Sequence, residues 1–317
     1  MTPESNVRVL KYDGLLLLTA GIWGFAFVAQ RAGMEHVGPF VFNGIRFGLG
    51  SLTLLPLIWI RRRAARGVPR AAAAGLLAGL VLFGGASLQQ MGIVHTTAGK
   101  SGFITGLYVV LVPLLGLFLK QRAGWGRWAG ALLAAAGLYF LSVTEHFTVA
   151  RGDLLVLLSA FFWAAHVLVI ARLAPRHDVV RLACLQYAVC SALSLVVGAF
   201  AESFGGVAIG RAIGPILYGG IMSVGVAYTL QVVAQKKAHP AHAAILLSLE
   251  GVFAVLGGGL ILGETLSPRG FLGCGLMLAA MLTSQSSVIL SNRRKAARAG
   301  RKDQPRMEGQ SGINPRR

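Results

Sequence analysis

The stretch Ala243–Glu264, AAILLSLEGVFAVLGGGLILGE, carries an acid, Glu250, inside an apolar run of about twenty residues that ends at Glu264. That is the length a helix needs to cross the hydrocarbon of a bilayer. A carboxylate at such depth costs on the order of 3 kcal/mol on insertion scales. Glu250 therefore has to face a protein interior or a water-filled cavity, and the rest of the chain is expected to build it.

The composition agrees with a membrane setting. The 317 residues are 55% hydrophobic and 13% charged, with a mean hydropathy of +0.67, whereas soluble domains carry about a quarter charged residues. The 42 glycines suit helices that pack closely in lipid. The net charge of +19 suggests nucleic acid at first sight. Its placement between apolar runs and in the tail argues for topology instead, and no nucleic-acid partner is expected. Cys184, Cys190 and Cys274 lie inside apolar runs without metal or disulfide spacing. They read as small apolar residues, and no cofactor is expected.

Ten apolar runs cover 14–32, 39–60, 71–92, 101–119, 125–143, 153–173, 182–200, 212–234, 242–262 and 270–290. Pro56, Pro113 and Pro215 fall inside runs and are candidate kinks. Of the 30 Lys and Arg, 24 lie in the N-terminal segment, in alternate loops and in the tail. Five lie on the opposite side, and Arg46 lies inside the second run. The positive-inside rule then places both termini in the cytoplasm of a multi-pass protein. A bacterial inner membrane is inferred from composition. Residues 1–13 are read as a cytoplasmic segment, and the polar tail 291–317 as disordered and able to touch anionic lipid.

The two halves repeat. A shift of 140 carries Asp13, Thr19, Ala20 and Trp23 onto Asp153, Ser159, Ala160 and Trp163, and Arg46–Phe47 onto Gln186–Tyr187. A shift of 142 carries Gln89 onto Gln231 and Lys100 onto His242, and 143 carries Gly130 onto Gly273. One five-helix unit, 14–143, thus recurs as 152–290. Five is odd, so the second copy enters the membrane from the opposite side. Inverted repeats with a site near the midplane characterise many secondary transporters.

Three motifs carry a resemblance: GIWGFAF around Trp23, IRFGLGSLTLLPL at 45–57, and SLEGVFAVLGGGLILGETLS at 248–267. With the tandem arrangement, they make residues 12–290 similar to the drug/metabolite transporter superfamily, EamA type. One departure stands out: Leu249–Glu250 is followed by Gly251, where the family often has proline. The resemblance implies an all-α integral membrane protein with ten transmembrane helices. It also implies a central cavity lined by the first, third, fourth, sixth, eighth and ninth helices, and ATP-independent movement of small metabolites, often outward.

Polar residues inside the runs are the candidate site, because hydrocarbon offers them no partner. Trp23 and Trp163 sit mid-span and read as cavity lining or as packing between repeats. Gln89 and Gln231 read as substrate ligands or as links between helices, and Tyr228 aligns with Gln231. His166 is a proton-linked group or a hydrogen-bonding residue between helices. Lys100 reads as an exposed helix-end charge or as an attractor for carboxylates. Arg46 is assigned a structural role, bonding carbonyls or snorkelling to an interface. Glu250 has the strongest claim, as ammonium ligand, proton carrier or counter-ion. Gly257–Gly258–Gly259 is a candidate hinge.

The function expected is a secondary transporter or facilitator exporting a small amphipathic metabolite by alternating access. The alternatives are an intramembrane enzyme acting on a lipid and a non-transporting sensor or scaffold. The enzyme reading lacks an intramembrane Asp pair, HExxH or GxSxG.

Overall fold

The computed structural model describes residues 3–60, 68–116, 125–142, 150–203, 205–235 and 246–284. The basic tail, His242 and most of the basic loops lie outside the described residues. Within them the chain is helical: α1 (Pro3–Gly33), α2 (Pro39–Ile60), α3 (Val68–Ile93), α4 (Ala98–Gly106), α5 (Tyr108–Leu115) and α6 (Trp125–Ser142) form the first half. The second half has α7 (Arg151–Leu173), α8 (Val179–Ala201), α9 (Gly206–Arg211) and α10 (Ile213–Leu217). A π-helical stretch, Tyr218–Ala227, then leads into α11 (Tyr228–Gln235), followed by α12 (Glu250–Leu262) and α13 at 268–284.

Helix occupies the described part of each of the ten apolar runs. Among the described residues, seven helices are long and apolar enough to cross a membrane, and two shorter apolar helices cover Trp128–Ser142 and Glu250–Leu262. α1 begins at Pro3 and runs through most of residues 1–13.

Pro215 lies in α10 between the turn at Ala212 and the π-helical stretch, but the other breaks fall away from prolines. Pro56 and Pro113 lie inside α2 and α5, while the fourth run breaks at Leu107, six residues ahead of Pro113. The triple glycine 257–259 lies in unbroken α12. The ninth run instead breaks at Ser248–Leu249. Both breaks are tightened turns: the Leu107 N–H donates to Ile104 O at 3.2 Å, and the Leu249 N–H to Leu246 O at 3.2 Å. Each bond spans three residues rather than four, the 3₁₀ pattern.

The contacts repeat under the same shifts as the sequence. Ser51 Oγ donates to Cys184 O at 3.0 Å and Ser191 Oγ to Gly44 O at 2.7 Å. Adding 140 to one pair and subtracting it from its partner gives the other. Phe47 and Tyr187, equivalent under that shift, stack on each other with ring centroids 5.9 Å apart. A Cβ on Gly130 would stand 3.1 Å from Ala280 O, and one on Gly137 2.8 Å from Gly273 O, again a matched pair under 143. Equivalent helices run antiparallel: the start of α2 meets the end of α8, and α6 meets α13 in reverse.

Close approach at small residues explains these crossings. Lipid is as apolar as leucine, so helices associate through packing and interhelical hydrogen bonds rather than through exclusion of water. A Cβ on Gly102 would lie 2.5 Å from Ala254 Cβ, and one on Gly79 2.6 Å from Val189 Cβ. Neither crossing admits a larger residue without separating the helices.

Candidate functional site

Glu250 is the first residue of α12, within the span. It is 5% exposed. A helix start is a place that favours negative charge. Tyr108, its equivalent under the shift of 142, likewise opens α5 and lies within electrostatic reach of Glu250. Gly251 seats α12 against Phe103, where a Cβ would meet the ring at 3.1 Å. Among the described residues, no side chain donates a hydrogen bond to the Glu250 carboxylate or forms an ion pair with it.

A second group gathers around α7 and α8. His166 Nε2 lies 2.8 Å from Gln186 Oε1. The Trp163 and His166 rings meet edge-on at 6.0 Å, and Tyr187 meets Tyr228 edge-on at 5.8 Å. Trp163, Tyr187 and Tyr228 pack into one apolar cluster with Phe47. The Trp163 indole N–H is buried and has no acceptor among the described residues. Its equivalent, Trp23, donates to Ser223 O at 3.1 Å and so ties α1 to the π-helical stretch.

Other candidates have local partners. Gln89 Nε2 donates to Thr105 Oγ1 at 2.9 Å, while Gln231 is half-buried. Arg46 is buried. Its Nε donates to Asn43 Oδ1 at 2.9 Å, and its guanidinium lies 4.7 Å from the centre of the Phe47 ring. Asn43 Nδ2 donates onward to Ala86 O, linking α2 to α3. Lys100 Nζ pairs with Asp153 Oδ2 at 3.2 Å, and Asp153 also accepts from Thr96 Oγ1.

Sequence reasoning did not name Tyr108, Thr105, Asn43 or Gln186 as site residues. Tyr108 was reachable, since the shift of 142 lays it against Glu250. Asp153 was placed only at a span end, yet it is 0% exposed. Two further carboxylates sit where the second half meets the first. Glu202 accepts from the Phe40 and Val41 N–H groups, both at 2.9 Å. Glu264 accepts from those of Ala98 at 2.9 Å and Gly99 at 3.3 Å.

Two related halves, apolar helices with polar residues turned inward and helices broken inside their spans define a multi-pass membrane protein of the kind that moves small solutes. The chain belongs to the EamA-like transporter family, whose model matches residues 10–143 and again 150–284. An uncharacterized transporter of Archaeoglobus fulgidus is 32% identical over 280 residues, 87% of this chain and 86% of the relative. The uncharacterized transporter YoaV of Bacillus subtilis is 21% identical over 87% of this chain and 98% of its own length. A probable terminal-alkyne amino-acid exporter of Streptantibioticus cattleyicolor is 30% identical over 145 residues, 43% of this chain and 46% of that protein. A solved crystal structure superposes with a TM-score of 0.63 at 18% identity, covering 89% of this chain and 98% of the other, a likeness of fold alone. The family and the relatives are transporters, not enzymes.

Proposed function

We propose that this protein exports a small amino-acid-like or amphipathic amine across the bacterial inner membrane, as a secondary transporter or facilitator working by alternating access. The two five-helix units, 14–143 and 152–290, are the moving bodies in this reading. Both termini lie in the cytoplasm, as the 24-to-5 distribution of basic residues supports. The observation that carries the reading is Glu250, a buried acid opening a half-helix inside the membrane with no described partner. Transporters of inverted-repeat design place such half-helix starts at their substrate and ion sites.

Glu250 would accept the substrate ammonium or a proton. The unmet indole N–H of Trp163 would supply a donor for a carboxylate or carbonyl of the same solute. His166, Tyr228, Gln89, Gln231 and Trp23 would line the path. The relative named as an amino-acid exporter supports this substrate class.

Counterflow in proteoliposomes with labelled amino acids, organic cations and nucleosides, with and without a pH gradient, tests the reading. Amine-bearing solutes should exchange, and Glu250→Gln should stop them. Wild-type rates in a folded Glu250→Gln protein would sink it.

A further inference from the structure

We propose that Glu202, Glu264 and Asp153 together form a latch between the two repeats, holding shut the end of the bundle where α2 and α4 begin, and that this end opens only when they release. All three carboxylates belong to the second half, and all three reach into the first. Each is received at or beside a helix start: Glu202 at α2, Glu264 at α4, and Asp153 by Thr96 and Lys100 around the start of α4. The distribution of basic residues assigns this end to the non-cytoplasmic face.

The backbone is shaped to admit the two glutamates. A Cβ on Gly38 would collide with the Glu202 carboxyl group, and one on Gly258 with Glu264 Oε2. Gly263, at φ 65, turns the chain out of α12 in a left-handed conformation that brings Glu264 back towards α4.

The latch is not simply what any helix start requires. Under the shift of 140, the start of α8 is the counterpart of the start of α2. There Asp178 Oδ1 accepts from its own Arg181 N–H at 2.9 Å, a cap within one helix. Gly38 occupies the position equivalent to Asp178, so α2 has given up its own cap and takes one from the other repeat. A cap supplied across a moving boundary stabilises only the state in which the boundary is closed. Polar contacts of this kind separate without leaving an apolar surface in water. Glu264 and Glu202 each line an open surface groove, so both joints lie beside open space. The proposal rests on the alternating-access reading for its direction, but its test requires no substrate.

The test uses the full-length protein in membrane vesicles, with the three native cysteines replaced and one cysteine introduced at Ser101. Ser101 is fully buried in the first turn of α4. A membrane-impermeant thiol reagent is applied to each face in turn. The Glu202→Gln/Glu264→Gln double variant should raise labelling from the non-cytoplasmic face about tenfold, the scale of a lost helix cap acting on a two-state equilibrium. Gly38→Ala, which keeps every carboxylate and displaces one, should act in the same direction. A control cysteine at Ala160, deep in α7, should stay unlabelled. Unchanged labelling in the double variant and in Gly38→Ala overturns the latch, as does an equal rise at position 160 or labelling from the cytoplasmic face alone. If the double variant fails to fold, Gly38→Ala and Gly258→Ala decide the question by the same readout. Loss of counterflow with accessibility unchanged would count against the latch and leave the transport reading standing.

Discussion

At Leu107 and again at Leu249 the backbone tightens in the same way, each N–H reaching the carbonyl three residues back at 3.2 Å. The helix that follows opens with Tyr108 in one copy and with Glu250 in the other. The same contrast recurs at the starts of α2 and α8, where Gly38 with a borrowed carboxylate stands opposite Asp178 with its own. Packing between the halves is duplicated; Glu250 and the carboxylate cap on α2 are not. The shared features are those that let helices cross closely. The unshared ones are charged or hydrogen-bonding groups that act at one place only. In the proposed alternating-access cycle a symmetric frame would make the two end states similar in energy, and the asymmetric groups would then bias which state is favoured and what is carried.

The largest effect should come from removing the asymmetric acid. Glu250→Gln keeps the shape and deletes the charge, and counterflow of amine-bearing solutes should fall at least about tenfold, equivalent to about 1.4 kcal/mol or more of lost binding. Tyr108→Phe, at the matching position, should cost clearly less. Equal losses from the two would break the distinction between the copies.

Next comes the ion pair between Lys100 and Asp153. Removing one partner of a fully buried pair costs about 3–5 kcal/mol because the other charge is stranded. Lys100 is 26% exposed while Asp153 is 0% exposed, so solvent screening lowers the expectation to about 2 kcal/mol for Lys100→Met. Thermal unfolding in detergent measures it. Arg269 is half-buried, with a long bond to Tyr139 O at 3.4 Å and its guanidinium 5.4 Å from the Tyr139 ring centre, and its replacement by alanine should cost less than the ion pair, about 1 kcal/mol.

How much of this was visible in the sequence depends on the kind of feature. Helix positions, the repeat and its inverted sense follow from apolar run length and a near-constant shift, because bilayer thickness and duplicated packing leave periodic traces. Glu250 was visible because a single acid in an apolar run is costly wherever it sits. The break ahead of it was not, since the turn Leu246–Leu249 holds neither proline nor glycine. The carboxylates of Glu202 and Glu264 were equally hidden. Each follows a span directly, as any loop acid does, and only the fold shows whose N–H groups it meets. Their one trace was glycine at 38 and 258, legible only once the opposing side chain is known.

A third comparison concerns tight and open glycines. A Cβ on Gly102 would meet Ala254 Cβ at 2.5 Å, whereas one on Gly275 has nothing within 4 Å. Gly102→Ala should therefore cost about 1–3 kcal/mol through overpacking at the α4–α12 crossing. Gly275→Ala, within α13, should be neutral or slightly stabilising by helix propensity. Unfolding midpoints of the two variants, taken side by side, give the answer; a stable Gly102→Ala protein would mean that α4 and α12 can separate without cost.

A small pair of effects tests the symmetry itself. Ser51 and Ser191 make matched bonds across the α2–α8 contact, to Cys184 O at 3.0 Å and to Gly44 O at 2.7 Å. Side-chain hydrogen bonds between membrane helices average about 0.6 kcal/mol, because a helix separated in lipid finds other partners for its hydroxyls. Ser51→Ala and Ser191→Ala should each destabilise by about that amount, and by amounts within a few tenths of each other. The Ser51 hydroxyl also lies 3.3 Å from Cys184 Sγ, a weak contact that should not separate the two values. The bonds share no atoms but lie on one interface, so the double variant should come close to the sum, and any shortfall would measure how far the α2–α8 contact relaxes as a unit. A Ser191→Ala cost several times that of Ser51→Ala would show that the crossing is anchored from the second repeat alone, and that equivalence of contact there is geometric without being energetic.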